Sequence, residues 1–138
     1  MLVSATGFDP LAGVMPAAAP ATSTAAALPV ATNDGVPAAV RAYWADEPIM
    51  VKVASCESNF RQFGEDGQPL LGWANPEDIG VMQINRKAHA AKAKALGLDL
   101  GTLEGNLAFA RHLHRTQGLA PWVYSKHCWS PQLAVATN

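Results

Sequence analysis

The chain has 138 residues, a net charge of −1 and a sequence pI of about 6.4, which is room for one domain and too little for two ordinary ones. Only 15% of its residues are charged, against 49% hydrophobic. With no basic patch and no long run of one sign, this composition argues against a nucleic-acid binder and against a charged interaction tail. Pro16, Pro20 and Pro29 interrupt the apolar runs near the start, so no membrane-spanning segment is expected.

Residues 1–35 read as a disordered leader or linker. The stretch from Pro16 to Pro29 is built almost wholly of Ala, Pro, Thr and Ser, and such a segment buries too little apolar surface to offset the entropy of ordering it. No Lys or Arg precedes Arg41. A secretory signal requires a basic n-region, so export would use an unorthodox leader or a start further upstream.

The folded part is expected over residues 36–130. Pro37 suits the first position of a helix running to Ala45, with Val40, Tyr43 and Trp44 as its apolar face. Asp46 is the expected N-cap of a second helix, with Pro48 in its first turn. Ile49, Met50, Val53 and Ala54 have helical spacing, and the helix ends near Ser58. Residues 61–79 are rich in Gly and Pro and read as loop. Within them Asp66-Gly67 is a turn signal and Leu70-Leu71 a short strand of a hairpin. A helix follows from Arg86 to Leu96, stopped by Gly97. The last long helix runs from Leu103 to Gln117, with Thr102 as N-cap, Glu104 in the first turn and Gly118 as its stop. The aromatic-rich segment from Pro121 to Trp129 should pack onto the body, and residues 131–138 should form a flexible tail.

Three features carry chemistry. Glu57 stands at the exit of an apolar helix beside Cys56; burial there would raise its carboxyl pKa, which a general acid working near neutral pH requires. The alternative is a surface glutamate at a helix end. Asp78 lies 21 residues further on, across a glycine-rich loop. Two carboxylates facing across a cleft, one neutral and one ionised, form the glycosidase arrangement, although Glu65, Asp66 and Glu77 compete for the second place. Trp73, in a polar loop, suits the apolar face of a sugar ring, whereas Trp44 and Trp129 suit a core. Cys56 and Cys128 are consistent with one disulfide or with two buried thiols. A bridge would close 72 residues, worth about 4 kcal/mol in the chain-entropy model.

Cys56-Glu57-Ser58-Asn59-Phe60, followed by Asp78-Ile79-Gly80-Val81-Met82-Gln83-Ile84-Asn85, resembles the lysozyme superfamily. The likeness is strongest to bacterial lytic-transglycosylase (SLT-type) domains, with an echo of chicken-type lysozymes, and it covers about residues 37–130. It implies an α+β, mainly α, lysozyme-like fold with a small β-hairpin region after the catalytic helix. In both groups the glutamate of the Glu-Ser pair is the acid, which carries over to Glu57. The Gly-x-x-Gln-Ile segment lines the cleft, which carries over to Gly80, Gln83 and Ile84. In chicken-type lysozymes the aspartate two residues before that glycine is the second carboxylate, which carries over to Asp78. Ser58, Asn85 and Asn106 are implied as further substrate contacts, although Gly105 stands where SLT domains have a glutamate. The Tyr-Asn-x-Gly motif of those domains is missing, with Tyr124 the nearest candidate for its tyrosine. The tail from Pro121-Trp122 to Cys128-Trp129 resembles the end of small bacterial domains of this type, which implies pairing of Cys56 with Cys128.

The resemblance implies cleavage of the β-1,4 bond between N-acetylmuramic acid and N-acetylglucosamine in peptidoglycan, outside the cytoplasm, by a lytic transglycosylase with Glu57 as acid and base. A muramidase using Glu57 and Asp78 is the alternative, and a non-catalytic peptidoglycan-binding domain is the reading from another class. A monomer is expected, with no cofactor, no metal and no nucleic-acid partner. His112 and His114, two apart on a helix, face different ways.

Overall fold

The computed structural model describes residues 31–130; the expectations for residues 1–30 and for the tail at 131–138 lie outside the described residues. Helix α1 spans Val36–Tyr43 and α2 Pro48–Ser58. A two-stranded antiparallel hairpin follows, β1 Asp78–Ile79 and β2 Ile84–Asn85, in the register Asp78↔Asn85 and Ile79↔Ile84. After it come α3 Arg86–Ala95, α4 Leu103–Gln117, a 3-10 helix Ala120–Ser125 and the short α5 Lys126–Trp129. The fold is therefore α+β and mainly helical. Among the described residues no helix is long and apolar enough to cross a membrane.

The elements follow from local chemistry. Val36, Val40 and Trp44, each four apart, put one face of α1 and its C-cap into the core. On α2 the buried positions are Met50, Val53, Ala54 and Ser58, again at helical spacing. Thr102 caps α4, its Oγ1 accepting from Gly105 N at 3.0 Å, and Gly118 ends the helix with φ +62°. The buried face of α4, which includes Leu107, Phe109, Ala110 and Leu113, forms much of the core with Met50, Met82 and Trp44. Helix α2 packs against α1 and against the 3-10 helix and α5, while α4 packs against α1 and the 3-10 helix. Gly105 has a steric reason: a Cβ there would collide with the Asp99 carbonyl oxygen.

Three expectations are corrected. Asp46 does not cap α2. Glu47 holds the N-cap position without a side-chain bond, and the Asp46 carboxylate takes two bonds from Arg111, at 2.8 and 3.0 Å. Arg111 holds the Asp46 carboxyl below its usual range, and its guanidinium lies over the rings of Trp44 and Tyr43. Leu70-Leu71 does not form a full strand: Leu71 makes a single bridge to Ile79, because Gly67, Pro69 and Gly72 leave no run long enough to pair. The fold also begins before Val36. Asn33 Oδ1 accepts from the backbone N–H groups of Gln62 and Phe63, both at 2.9 Å, and its Nδ2 donates to Phe63 O at 2.8 Å. Asn33 thereby clamps the loop that follows α2.

Candidate active site

Glu57 occupies the last turn of α2. Beyond it the chain turns sharply, with Asn59 at φ 53° and Phe60 at φ 60°. Left-handed conformations at non-glycine residues store strain and persist only where surroundings impose them. Here Ser58 supplies part of the constraint. It is buried, and its hydroxyl lies 2.8 Å from Val81 O, across to the hairpin, and 3.1 Å from Ala54 O in its own helix. The end of the helix is thus tied to the turn of the hairpin.

That turn is Gly80 to Gln83. Gly80 has φ +76°, and a Cβ there would strike Asn106 Nδ2. Asn106, fully buried, receives Met82 N on Oδ1 and donates from Nδ2 to Ile79 O and Leu100 O, all at 2.9 Å. Gln62, also fully buried, receives Val81 N at 2.8 Å and donates to Gly101 O at 3.1 Å. Two buried amides therefore satisfy main-chain groups that the tight turn leaves without sheet partners.

The turn and the end of α2 face a cleft of about 430 Å³. Glu57 lines it from α2, and Asp78, Ile84 and Asn85 line it from the hairpin, with Gln83 at the turn. Ala74 and Asn75 close it on the loop side, His89 comes from α3, and Leu113 and Gln117 from α4. Pro121, Trp122 and Tyr124 form the wall from the 3-10 helix. Asn85 does double duty: Nδ2 donates to Asp78 Oδ1 at 3.0 Å, while Oδ1 caps α3 through Ala88 N at 2.9 Å. Gln83 folds back, Nε2 donating to Gly80 O at 2.9 Å.

Burial raises the Glu57 carboxyl above the usual carboxylate range. A hydrogen bond from Ser125 Oγ to Glu57 Oε1, at 2.5 Å, pulls the other way, and the charge of Asp78 adds to the rise. Cys56 and Cys128 form a disulfide with Cα atoms 5.9 Å apart. Cys128 is exposed and Cys56 only partly buried, so the bridge lies toward solvent. Apolar residues that line the cleft with Glu57 include Ile84, Leu113, Pro121 and Trp122. Burial of His89 lowers its pKa, with His112 contributing.

The structure thus brings Glu57, Asp78, Gln83, Ile84, Asn85 and Tyr124 to one cleft. Ser58, Gly80 and Asn106, expected as substrate contacts, do not line it; they are buried behind it and bond to main chain. Trp73 is fully exposed beside the lining residue Ala74 but is not itself a wall of the cleft. Trp122 serves both core and cleft: its ring is buried and lines the cleft, and Nε1 donates to Met82 O at 2.9 Å. Sequence reasoning gave no part to Ser125 or to His89. Ser125 had a signal: once Cys128 is joined to Cys56, a residue one helical turn before Cys128 lies near Glu57. His112 lies tilted against the Phe109 ring and His114 meets the Trp44 ring edge-on. Among the described residues no three His, Cys, Asp or Glu side chains gather to hold a metal ion. The chain matches no family model, no curated protein and no solved structure.

Proposed function

We propose that the chain cleaves the β-1,4 bond between N-acetylmuramic acid and N-acetylglucosamine in peptidoglycan, as a lytic transglycosylase with Glu57 as general acid and then base. The observation that carries the reading is a single carboxyl group, Glu57, desolvated in a cleft opposite a second carboxylate and raised in pKa by both. A raised pKa keeps the proton available near neutral pH for the leaving oxygen. Glu57 donates that proton to the glycosidic oxygen as an oxocarbenium-like state develops. It then takes a proton from the muramic C6 hydroxyl, whose oxygen closes on C1 and leaves a 1,6-anhydro end. The glutamate at the end of α2, with the hairpin across the cleft from it, supports a fold of the lysozyme superfamily. The disulfide fits an oxidising, extracytoplasmic setting.

Asp78 favours a second reading, muramidase action. It shares the cleft with Glu57, and Asn85 fixes its orientation. In that chemistry Asp78 supports or attacks the oxocarbenium-like centre and water completes the reaction. Mass spectrometry of fragments from purified sacculi separates the two, since an anhydro end is lighter by one water than a reducing end. Anhydro products are expected; reducing ends alone would reject the transglycosylase reading in favour of hydrolysis, and intact sacculi would reject both.

A further inference from the structure

Ser125 ends the 3-10 helix, and three residues later Cys128 is bridged to Cys56, the neighbour of Glu57. Ser125 Oγ has two acceptors within reach: Glu57 Oε1 at 2.5 Å and Trp122 O at 3.1 Å. A hydroxyl has one proton and donates fully to one acceptor at a time. The Trp122 side of the choice is rigid. Its carbonyl also accepts from Trp129 Nε1 at 2.9 Å, and its buried indole is anchored to Met82 O.

Resting on the reading of Glu57 as the acid, we propose that Ser125 is a positioning residue whose hydroxyl turns between Trp122 O and Glu57 Oε1 and so follows the charge of Glu57 through the reaction. While Glu57 is protonated on Oε2, the Ser125 O–H points to the Trp122 carbonyl. When the Oε2 proton passes to the glycosidic oxygen, Glu57 becomes a carboxylate and the Ser125 O–H turns to Oε1. When Glu57 recovers a proton from the attacking hydroxyl, Ser125 turns back. Ser125 keeps its own proton throughout. The carboxylate thus gains its donor as the negative charge forms, where a hydrogen bond accelerates the step instead of only tightening binding.

Ser125→Ala removes none of the other charged or titratable groups around this pair. Asp78 acts on Glu57 from β1, and His89 and Tyr124 line the same cleft from α3 and the 3-10 helix. Lys126 and His127 follow Ser125 on α5, and from α1 Arg41 lies over the Phe60 ring. A change in the titration of Glu57 in Ser125→Ala therefore reports the lost hydroxyl.

The test is carbon-13 NMR titration of the Glu57 carboxyl in the full chain, together with kcat against pH on purified peptidoglycan. Ser125→Ala is expected to titrate Glu57 at higher pH than the parent and to lower kcat about tenfold or more, the scale of one hydrogen bond to a charged group, with KM little changed. Ser125→Thr keeps the donor and should restore both readouts. Ser125→Gly removes the hydroxyl a second way and serves if the alanine variant does not fold. A Glu57 titration identical in parent, Ser125→Ala and Ser125→Gly would overturn the proposal, whatever the activity. A parent that leaves peptidoglycan intact while its Glu57 titration still shifts on loss of the hydroxyl would instead sink the functional reading and keep the coupling.

Discussion

Replacing Asn106 with alanine removes three hydrogen bonds of 2.9 Å from a side chain with no solvent exposure. Each such bond is worth about 1 kcal/mol net, and a buried donor left alone costs about 1–3 kcal/mol. The Met82 N–H loses its Asn106 acceptor inside a core residue of zero exposure. Leu100 O retains only a long contact from Gln62 Nε2, at 3.5 Å. The expected loss is about 3–5 kcal/mol, a large part of the stability of a domain this size. Urea denaturation followed by circular dichroism measures it, and a loss under about 1 kcal/mol would refute the claim that this amide holds the turn. Asn106→Asp sharpens the test. An aspartate can still accept from Met82 N, but its carboxylate faces the carbonyl oxygens of Ile79 and Leu100. The fold should therefore raise its pKa above the unfolded value. A carboxyl raised in this way is destabilising once it ionises, so the variant should lose stability as pH rises and recover part of it toward about pH 4. A flat pH dependence relative to the parent would show that the two carbonyls do not face position 106.

Two further outcomes follow from the site. Glu57→Gln should still bind wall fragments but not cut them. It should also be more stable than the parent at neutral pH and equal to it at low pH: the fold raises the Glu57 pKa, so the parent's penalty grows as pH rises from the unfolded value toward the folded one, and glutamine does not ionise. Thermal unfolding at both pH values measures the difference, and parental cutting activity in Glu57→Gln would remove Glu57 as the acid. Replacing Cys56 and Cys128 together with serine should cost about 4 kcal/mol on the chain-entropy model, given their sequence separation of 72. The exposed Cys128 should let a reductant reach the bridge in the folded protein; equal unfolding midpoints with and without reductant would contradict both statements.

Much of the fold was legible from the chain alone because it depends on neighbours three or four residues apart. The spacing of Met50, Val53 and Ala54, the cap at Thr102 and the stops at Gly97 and Gly118 are local patterns, and each sits where the pattern placed it, with boundaries shifted by a residue or two. The pairing of Cys56 with Cys128 came from resemblance, since two cysteines alone leave bridge and thiols both open. Other features depend on groups far apart in sequence. Asn33 meets Gln62 and Phe63 across about thirty residues, Asp46 meets Arg111 across 65, and Ser125 meets Glu57 across 68. No periodicity encodes such contacts, so Asp46 read as a cap and Ser125 went unnoticed.

The sequence by itself determined where the helices run and which carboxylates were available, because turn chemistry and side-chain spacing act over one or two helical turns. Only the tertiary structure decided which of those groups share a cleft. Burial, and with it the raised pKa of Glu57, depends on what else packs nearby, and Ile84, Leu113 and Trp122 line the cleft with Glu57 from three separate parts of the chain.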